Sequence, residues 1–356
     1  MDIIAIAKEA VAAGASDILI SADSPVMLHV DGVLRPHSNG MLLTEEMASN
    51  LIYQFLTMEQ RKTLENEREL DAGYNIKDFA RFRVSVYYQK GSLAAALRLV
   101  PLRIPLPSEL GFPPDFLARV RNLPNGLVLF TGPTGAGKST SIASLIELIN
   151  TEGGVSKHVI TIEDPIEFVF KPKQCVIDQR EIGRDTFSYV HGLRSALRSL
   201  PHVIFVGEMR DRDTIEIALR AAETGNLVIS TLATASAAKT INRIVDIFPV
   251  EHQSEIRTRL ALSLKVVVSQ VLLPRVDIAG RIAAREVMFV TNSIANLVRE
   301  GKIHQIPNVI ATAARDGMVL MDDSLASLLS AGAIDAATAM TYAVDLEKIK
   351  PALKRR

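Results

Sequence analysis

Residues 126–150 read "GLVLFTGPTGAGKSTSIASLIELIN". An apolar, strand-like run ends at Gly132. Two more glycines, Gly135 and Gly137, follow within five residues, and a helix opens at Lys138. Few sequence features constrain a fold as tightly. Glycine tolerates backbone conformations closed to other residues, so such a loop reverses the chain sharply between a strand and a helix. Downstream the same alternation continues: "HVITIED", a helix near 187–199, "HVIFVGE", the helical "DTIEIALRAAET", then the strand-like "NLVIST". Short β-rich apolar runs separated by helices predict an α/β fold whose parallel sheet is covered on both faces.

The loop itself fits G-x-x-x-x-G-K-[ST], with Gly132, Pro133, Thr134, Gly135, Ala136, Gly137, Lys138, Ser139 and Thr140 as its residues. Each residue type has a reason. Glycines let consecutive N–H groups face one anion, and the helix N-terminus adds its partial positive charge. Lys138 is expected to reach the β- and γ-phosphates, and Ser139 to place its hydroxyl on Mg²⁺. Acids follow at strand ends: Glu163 and Asp164 after "HVITI", and Glu208 after "HVIFVG". Ligands of open parallel sheets bind beyond the carboxyl ends of the strands, which places these acids near the phosphates. One acid can hold Mg²⁺, directly or through water, and another can orient an attacking water. These features predict a nucleoside triphosphate hydrolase. They leave kinases, helicases and motors open.

The first hundred residues read differently. Ile3, Ile6, Ala7, Ala10 and Val11 recur at helical spacing up to Gly14. "VMLHV" and "VLRPH" flank Asp31-Gly32, a hairpin signal. Thr44 is a plausible N-cap for "EEMASNLIYQFL". "RFRVSVYYQ" and "SLAAALRLV" are two strands joined at Lys90-Gly91. Strand periodicity puts Phe82, Val84, Val86 and Tyr88 on one face, and Arg81 and Arg83 on the other with Ser85 and Gln89. A small α+β domain is expected over 1–100. "PLRIPLPSELGFPPDF" carries five prolines and reads as a semi-rigid linker over 101–116. The last ~60 residues are mostly helical in pattern.

Lys+Arg and Asp+Glu are both 40 in 356 residues, so the chain lacks the basic balance that nucleic acid as a bulk partner requires. The single cysteine, Cys175, excludes an intramolecular disulfide and a four-cysteine zinc site. "MDIIAIAKEAV" lacks a signal-peptide pattern, and "LALSLKVVVSQVLLP" is too short and polar to span a bilayer. A soluble cytoplasmic protein is expected.

The ordered string "GASDILI", "RFRVSVYYQ", "GPTGAGKST", "ITIEDPIEF", "VGEMRD", "AAETGNLV", "INRIVDIFP", "SIANLVREGKIHQI" and "GMVLMDDSL" resembles the secretion-type hexameric ATPases, and within them the type IV pilus retraction branch. The resemblance runs over nearly the whole chain. It implies a PAS-like N-terminal domain, a RecA-like P-loop ATPase core over 117–300 and a helical C-terminal region over 301–356. It also implies ATP and Mg²⁺ as cofactors. The expected assembly is a homo-hexamer at the cytoplasmic face of the inner membrane, docked on a pilus platform protein and working in one reading with a paralogous retraction ATPase. Glu163 matches the general base of the family's aspartate box. Glu208 matches the Walker B acid that organises Mg²⁺ with Ser139. Arg81, Arg83 and Arg98 match arginines that contact the phosphates.

The short chain with one cysteine favours retraction over pilus assembly within the resemblance. Three departures stand out. Ala295 replaces an arginine in the retraction motif. Ser199, Leu200 and His202 replace acids before the Walker B strand, nearer the chemistry. Ala233, in "STLATASA", replaces a histidine thought to sense the γ-phosphate. Two further readings follow from the sequence: a weakly active accessory member beside an active paralogue, and a nucleic-acid translocase on a RecA-like core, which the zero net charge and the lack of a basic–aromatic pattern disfavour.

Overall fold

The computed structural model describes residues 1–30, 32–77, 79–100, 103–152 and 154–353. Asp31 of the expected hairpin turn, Pro101 and Leu102 of the proline-rich stretch, and the basic residues 354–356 lie outside these. The chain divides into two compact units. One comprises Met1–Arg103 with Pro165–Val169, and the other Ile104–Asp164 with Phe170–Arg356.

The first unit contains α1 (Ile3–Ala12), β1 (Asp17–Ile20), β2 (Met27–Val30), β3 (Val33–Pro36), α2 (Glu45–Tyr53), α3 (Met58–Glu67), β4 (Glu69–Ile76), β5 (Ala80–Gln89) and β6 (Ser92–Val100). Its antiparallel sheet runs β3-β2-β1-β6-β5-β4. The cap signals work as expected: Asp2 accepts from Ile4 and Ala5 at the start of α1, and Thr44 accepts from Met47 at the start of α2. Ile3, Ile6, Leu51, Ile52, Phe82, Val84 and Val86 share one buried core. The alternation along β5 is the sequence's own, with Val84 and Val86 buried and Arg83 and Tyr87 exposed. Arg81 departs from it. It lies on the polar face yet is 7% exposed, and its Nε donates to the Ile166 carbonyl at 3.4 Å.

The second unit begins with α4 (Pro114–Arg121), β7 (Gly126–Thr131), α5 (Lys138–Glu152), β8 (His158–Glu163), β9 (Val176–Glu181), α6 (Tyr189–Ala196), β10 (Val203–Val206), α7 (Arg212–Glu223) and β11 (Leu227–Leu232). It continues with α8 (Ala237–Asp246), α9 (Val250–Ser263), β12 (Leu264–Pro274), β13 (Arg281–Phe289), α10 (Asn292–Arg299), α11 (Ile306–Thr312), α12 (Met321–Ser330), α13 (Ala336–Tyr342) and α14 (Leu346–Leu353). The sheet order is β13-β12-β7-β11-β10-β8-β9. Every pairing from β12 to β9 is parallel, and β13 is an antiparallel edge strand on β12. β7 and β11 are buried along their whole lengths, as strands covered on both faces must be.

Within the proline-rich stretch, Phe112 stacks on Phe116, and Ser144 donates to the Pro105 carbonyl at 2.6 Å. The late apolar stretch forms the end of α9 and then β12. No helix among the described residues is long and apolar enough to cross a membrane.

Candidate functional site

Parallel pairing sends the loops after β7, β8, β10 and β11 out of the same edge of the sheet. That edge collects residues 132–137, the pair Glu163–Asp164, the segment Gly207–Glu208 and the loop at Ala233. Backbone hydrogen bonds lace them in series. Gly132 donates to the Leu232 carbonyl at 3.3 Å, Met209 to that of Thr231 at 3.2 Å, and Gly207 to that of Ile162 at 2.9 Å. The Thr231 hydroxyl adds a bond to the Gly207 carbonyl at 2.6 Å.

The 132–137 loop has the curl its composition predicts, with positive φ at Gly132, Gly135 and Gly137. Gly132 is irreplaceable on two grounds. Its φ is 141°, and a Cβ there would lie 2.2 Å from the Gln270 carbonyl oxygen. Lys138, the first residue of α5, folds its ammonium onto the Gly132 and Pro133 carbonyls at 2.8 and 2.9 Å. Ser139 and Thr140 occupy the first turn of the same helix, both half-buried.

Glu163 ends β8 and is 6% exposed. Its Oε1 accepts from the Thr161 hydroxyl at 2.6 Å, on its own strand, and from Gln179 Nε2 at 3.2 Å, on the neighbouring β9, and these bonds fix its direction. Glu208 pairs with Arg210 at 2.7 Å, and that bond pushes the Arg210 guanidinium further above its usual range. Glu208 and Ser139 offer a carboxylate and a hydroxyl, the hard oxygen donors that Mg²⁺ takes in small number beside water and phosphate.

Arg83 and Arg98 face each other across β5 and β6, on the same side of the first unit's sheet as Arg81. Arg98 Nε is bonded to Asp17 at 2.8 Å. Burial works to raise the Asp17 carboxyl, but the bonds from Arg98 and Ser16 outweigh it and hold it below the usual range. The structure thus gathers two groups: the three arginines on one face of the first unit, and the loop with its acids on one edge of the second.

The sequence reading misplaces one feature and misses others. Ser199–His202 precede β10, so they lie at the opposite edge of the sheet from the 132–137 loop, despite their closeness in sequence to Glu208. Four residues of strand, about 13 Å, separate them from it. Ala233 is where the resemblance puts it, exposed on the loop after β11, and it presents a methyl group. Just beyond, Ser236 caps α8 and Thr234 bonds Thr240 at 2.7 Å. The buried Glu286 of β13 accepts from the Ala237 N–H at 2.8 Å, and its burial raises its pKa.

Tyr189 is the first residue of α6 and belongs to none of the sequence motifs. Its hydroxyl lies so close to Gly207 that a Cβ there would sit 2.8 Å from it. Burial first, then the charges of Asp164 and Glu208, push its ionisation upward, so it stays a neutral hydroxyl beside the acids. Gln270 reaches the 132–137 loop from β12. No periodicity marks either residue. A clue exists at Gln270, a polar residue inside the apolar run "KVVVSQVLL".

Comparison with known proteins agrees with this architecture. The family model described as "Type II/IV secretion system protein" matches residues 1–300. The chain is 45% identical over 284 residues to the type IV pilus retraction ATPase PilT of Pseudomonas aeruginosa, covering 80% of this chain and 81% of that one. It is 42% identical over 308 residues to a twitching motility protein of Neisseria gonorrhoeae, covering 86% and 81%. The crystal structure of the pilus retraction motor PilT with bound ADP matches with a TM-score of 0.91 at 42% identity, covering 99% of each chain. The chain belongs to the type II/IV secretion system protein family.

Proposed function

We propose that this chain is an Mg-dependent ATPase and one subunit of a homo-hexameric motor that powers type IV pilus retraction. The observation that carries the reading is the single sheet edge where the 132–137 loop, the acids ending β8 and β10, and the loop after β11 come together. Residues 1–100 act as a PAS-like domain, 101–116 as a linker, 117–300 as the ATPase core and 301–356 as a helical C-terminal region. The ring works at the cytoplasmic face of the inner membrane against a platform protein, with a paralogous retraction ATPase as a further partner.

The chemistry follows from the residues. Loop N–H groups and the N-terminus of α5 hold the phosphates. Lys138 trades its present carbonyl partners for the β- and γ-phosphate oxygens. Glu163 is the general base, and its anchored Oε1 means that its carboxylate is aligned before water arrives. Ser139 and Glu208 would hold Mg²⁺, directly or through water, and the ion would neutralise charge on the phosphate oxygens. Arg81, Arg83 and Arg98 add positive charge to the transferring phosphate, a contribution worth about 10³–10⁵ in rate in other NTPases.

Steady-state ATP hydrolysis by the purified chain tests this beside Glu163→Gln. The variant is expected to lose about 10²–10⁴ in turnover. Measurable wild-type turnover that survives the substitution unchanged would remove Glu163 from the mechanism. Ala233 favours a second reading, an accessory subunit that binds ATP and works beside an active paralogue. ATP binding by the wild type with turnover no higher than background, and so no higher than that of Glu163→Gln, would favour it.

A further inference from the structure

β12 supplies a residue that none of the motifs contains. Gln270 is 1% exposed, on a strand that pairs in parallel with β7. Its side-chain nitrogen donates to the Ala136 carbonyl at 2.6 Å, and its side-chain oxygen accepts from the Ser141 hydroxyl at 3.1 Å. The assignment is forced by chemistry: a carbonyl only accepts, so the amide nitrogen must face Ala136. The backbone takes part too, since the Gln270 carbonyl leaves no room for a Cβ on Gly132. One residue therefore meets the loop's first glycine, its last peptide and the first turn of the helix after it.

This contact sets the polarity of the loop. In a trans peptide the C=O and N–H point in opposite directions. The Ala136–Gly137 peptide has its carbonyl tied to Gln270, so its N–H is turned away from Gln270. With that peptide reversed, an anion in the loop would meet an oxygen in place of a donor. We infer that Gln270 is a positioning residue for nucleotide binding, which holds the Ala136–Gly137 peptide so that its N–H is offered to phosphate. The inference rests on the nucleotide site proposed above.

Two variants of the full chain test it. Gln270→Met keeps the length and volume of the side chain without the amide. Gln270→Glu keeps the shape and can still accept from Ser141, but sets an acceptor against the Ala136 carbonyl. ADP affinity, KM and kcat for ATP, and the unfolding temperature without nucleotide are measured for each. Both variants are expected to bind ADP about tenfold to a hundredfold more weakly, with the KM for ATP rising in step. A merely structural role would lower the unfolding temperature and leave the ADP affinity and KM of the folded protein unchanged. ADP affinity within about twofold of wild type in either folded variant overturns the inference, and the glutamate variant decides alone if the methionine variant does not fold. Lys138→Ala measured alongside separates the two levels. If it binds ADP like wild type, the nucleotide site itself is misassigned. If it loses ADP while the Gln270 variants keep it, only the positioning role fails.

Discussion

The two edges of the second unit's sheet use polar groups in contrasting ways. At the edge where β7, β8, β10 and β11 end, the glycine-rich loop before α5, the Lys138 ammonium and the carboxylates of Glu163 and Glu208 are held by neighbouring groups, and we propose that they surround an anion. At the opposite edge, polar groups close the turns on one another. His158 bridges the Ser199 carbonyl at 2.9 Å and the Asp178 carboxylate at 2.8 Å, and its N–H donates to His202 Nδ1 at 3.1 Å. Asn226 donates to the Pro201 carbonyl at 2.6 Å. Substitutions at the first edge should therefore move catalysis more than stability, and substitutions at the second the reverse.

The largest effect on nucleotide binding expected at the first edge is from Gly132→Ala. A methyl group 2.2 Å from the Gln270 carbonyl oxygen cannot be accommodated by rotating a side chain, because the obstacle is backbone. The loop must move as a unit, and its backbone N–H groups go with it. ADP binding should fall by more than about a hundredfold, the scale on which hydrogen bonds to a charged group are lost. Isothermal titration checks this. An alanine variant that bound ADP normally would show that the loop's curl matters less than its lysine.

How far this contrast could be read in advance depends on the range of the contacts involved. The 132–140 loop, the strands on either side and the acids at their ends are local patterns, and each is legible from its neighbours in sequence. β9 was missed because an edge strand with the burial pattern of Val176–Glu181 has little apolar alternation to show. Gln270 was missed because its partner Ala136 is 134 residues away. The error over Ser199–His202 has a different origin. Sequence adjacency to Glu208 suggested spatial adjacency, but an intervening strand carries the chain from one edge of the sheet to the other.

Ala233→His sharpens the contrast next. It adds a ring with a donor nitrogen to an exposed position on the first edge, where a bound phosphate would be within the loop's surroundings. A new hydrogen bond to a charged group is worth about 1.5–3 kcal/mol, so turnover should rise about tenfold or more if the bond forms in the transition state. Steady-state kinetics of the two chains side by side decides. Unchanged turnover would mean that the edge is already compensated, and Tyr189, with its hydroxyl against Gly207, would become the first residue to examine.

The smallest effect belongs to the second edge. Leu200 adopts φ 51°, in the left-handed region, and is 86% exposed. Leucine gains nothing from burial there and bears the crowding of its Cβ against the backbone, a cost of roughly 1–2 kcal/mol that asparagine tolerates better because its short polar side chain can hydrogen-bond locally. Leu200→Asn is therefore expected to stabilise the chain by no more than about 1 kcal/mol, a rise of about 2–4 °C in the unfolding temperature of a domain this size. Turnover and ADP affinity should not change, because Leu200 lies at the end of the sheet opposite the 132–137 loop. Thermal unfolding and steady-state kinetics on the same preparation check both halves. A change in turnover with Leu200→Asn would join the two edges functionally, and the division of labour between them would have to be abandoned.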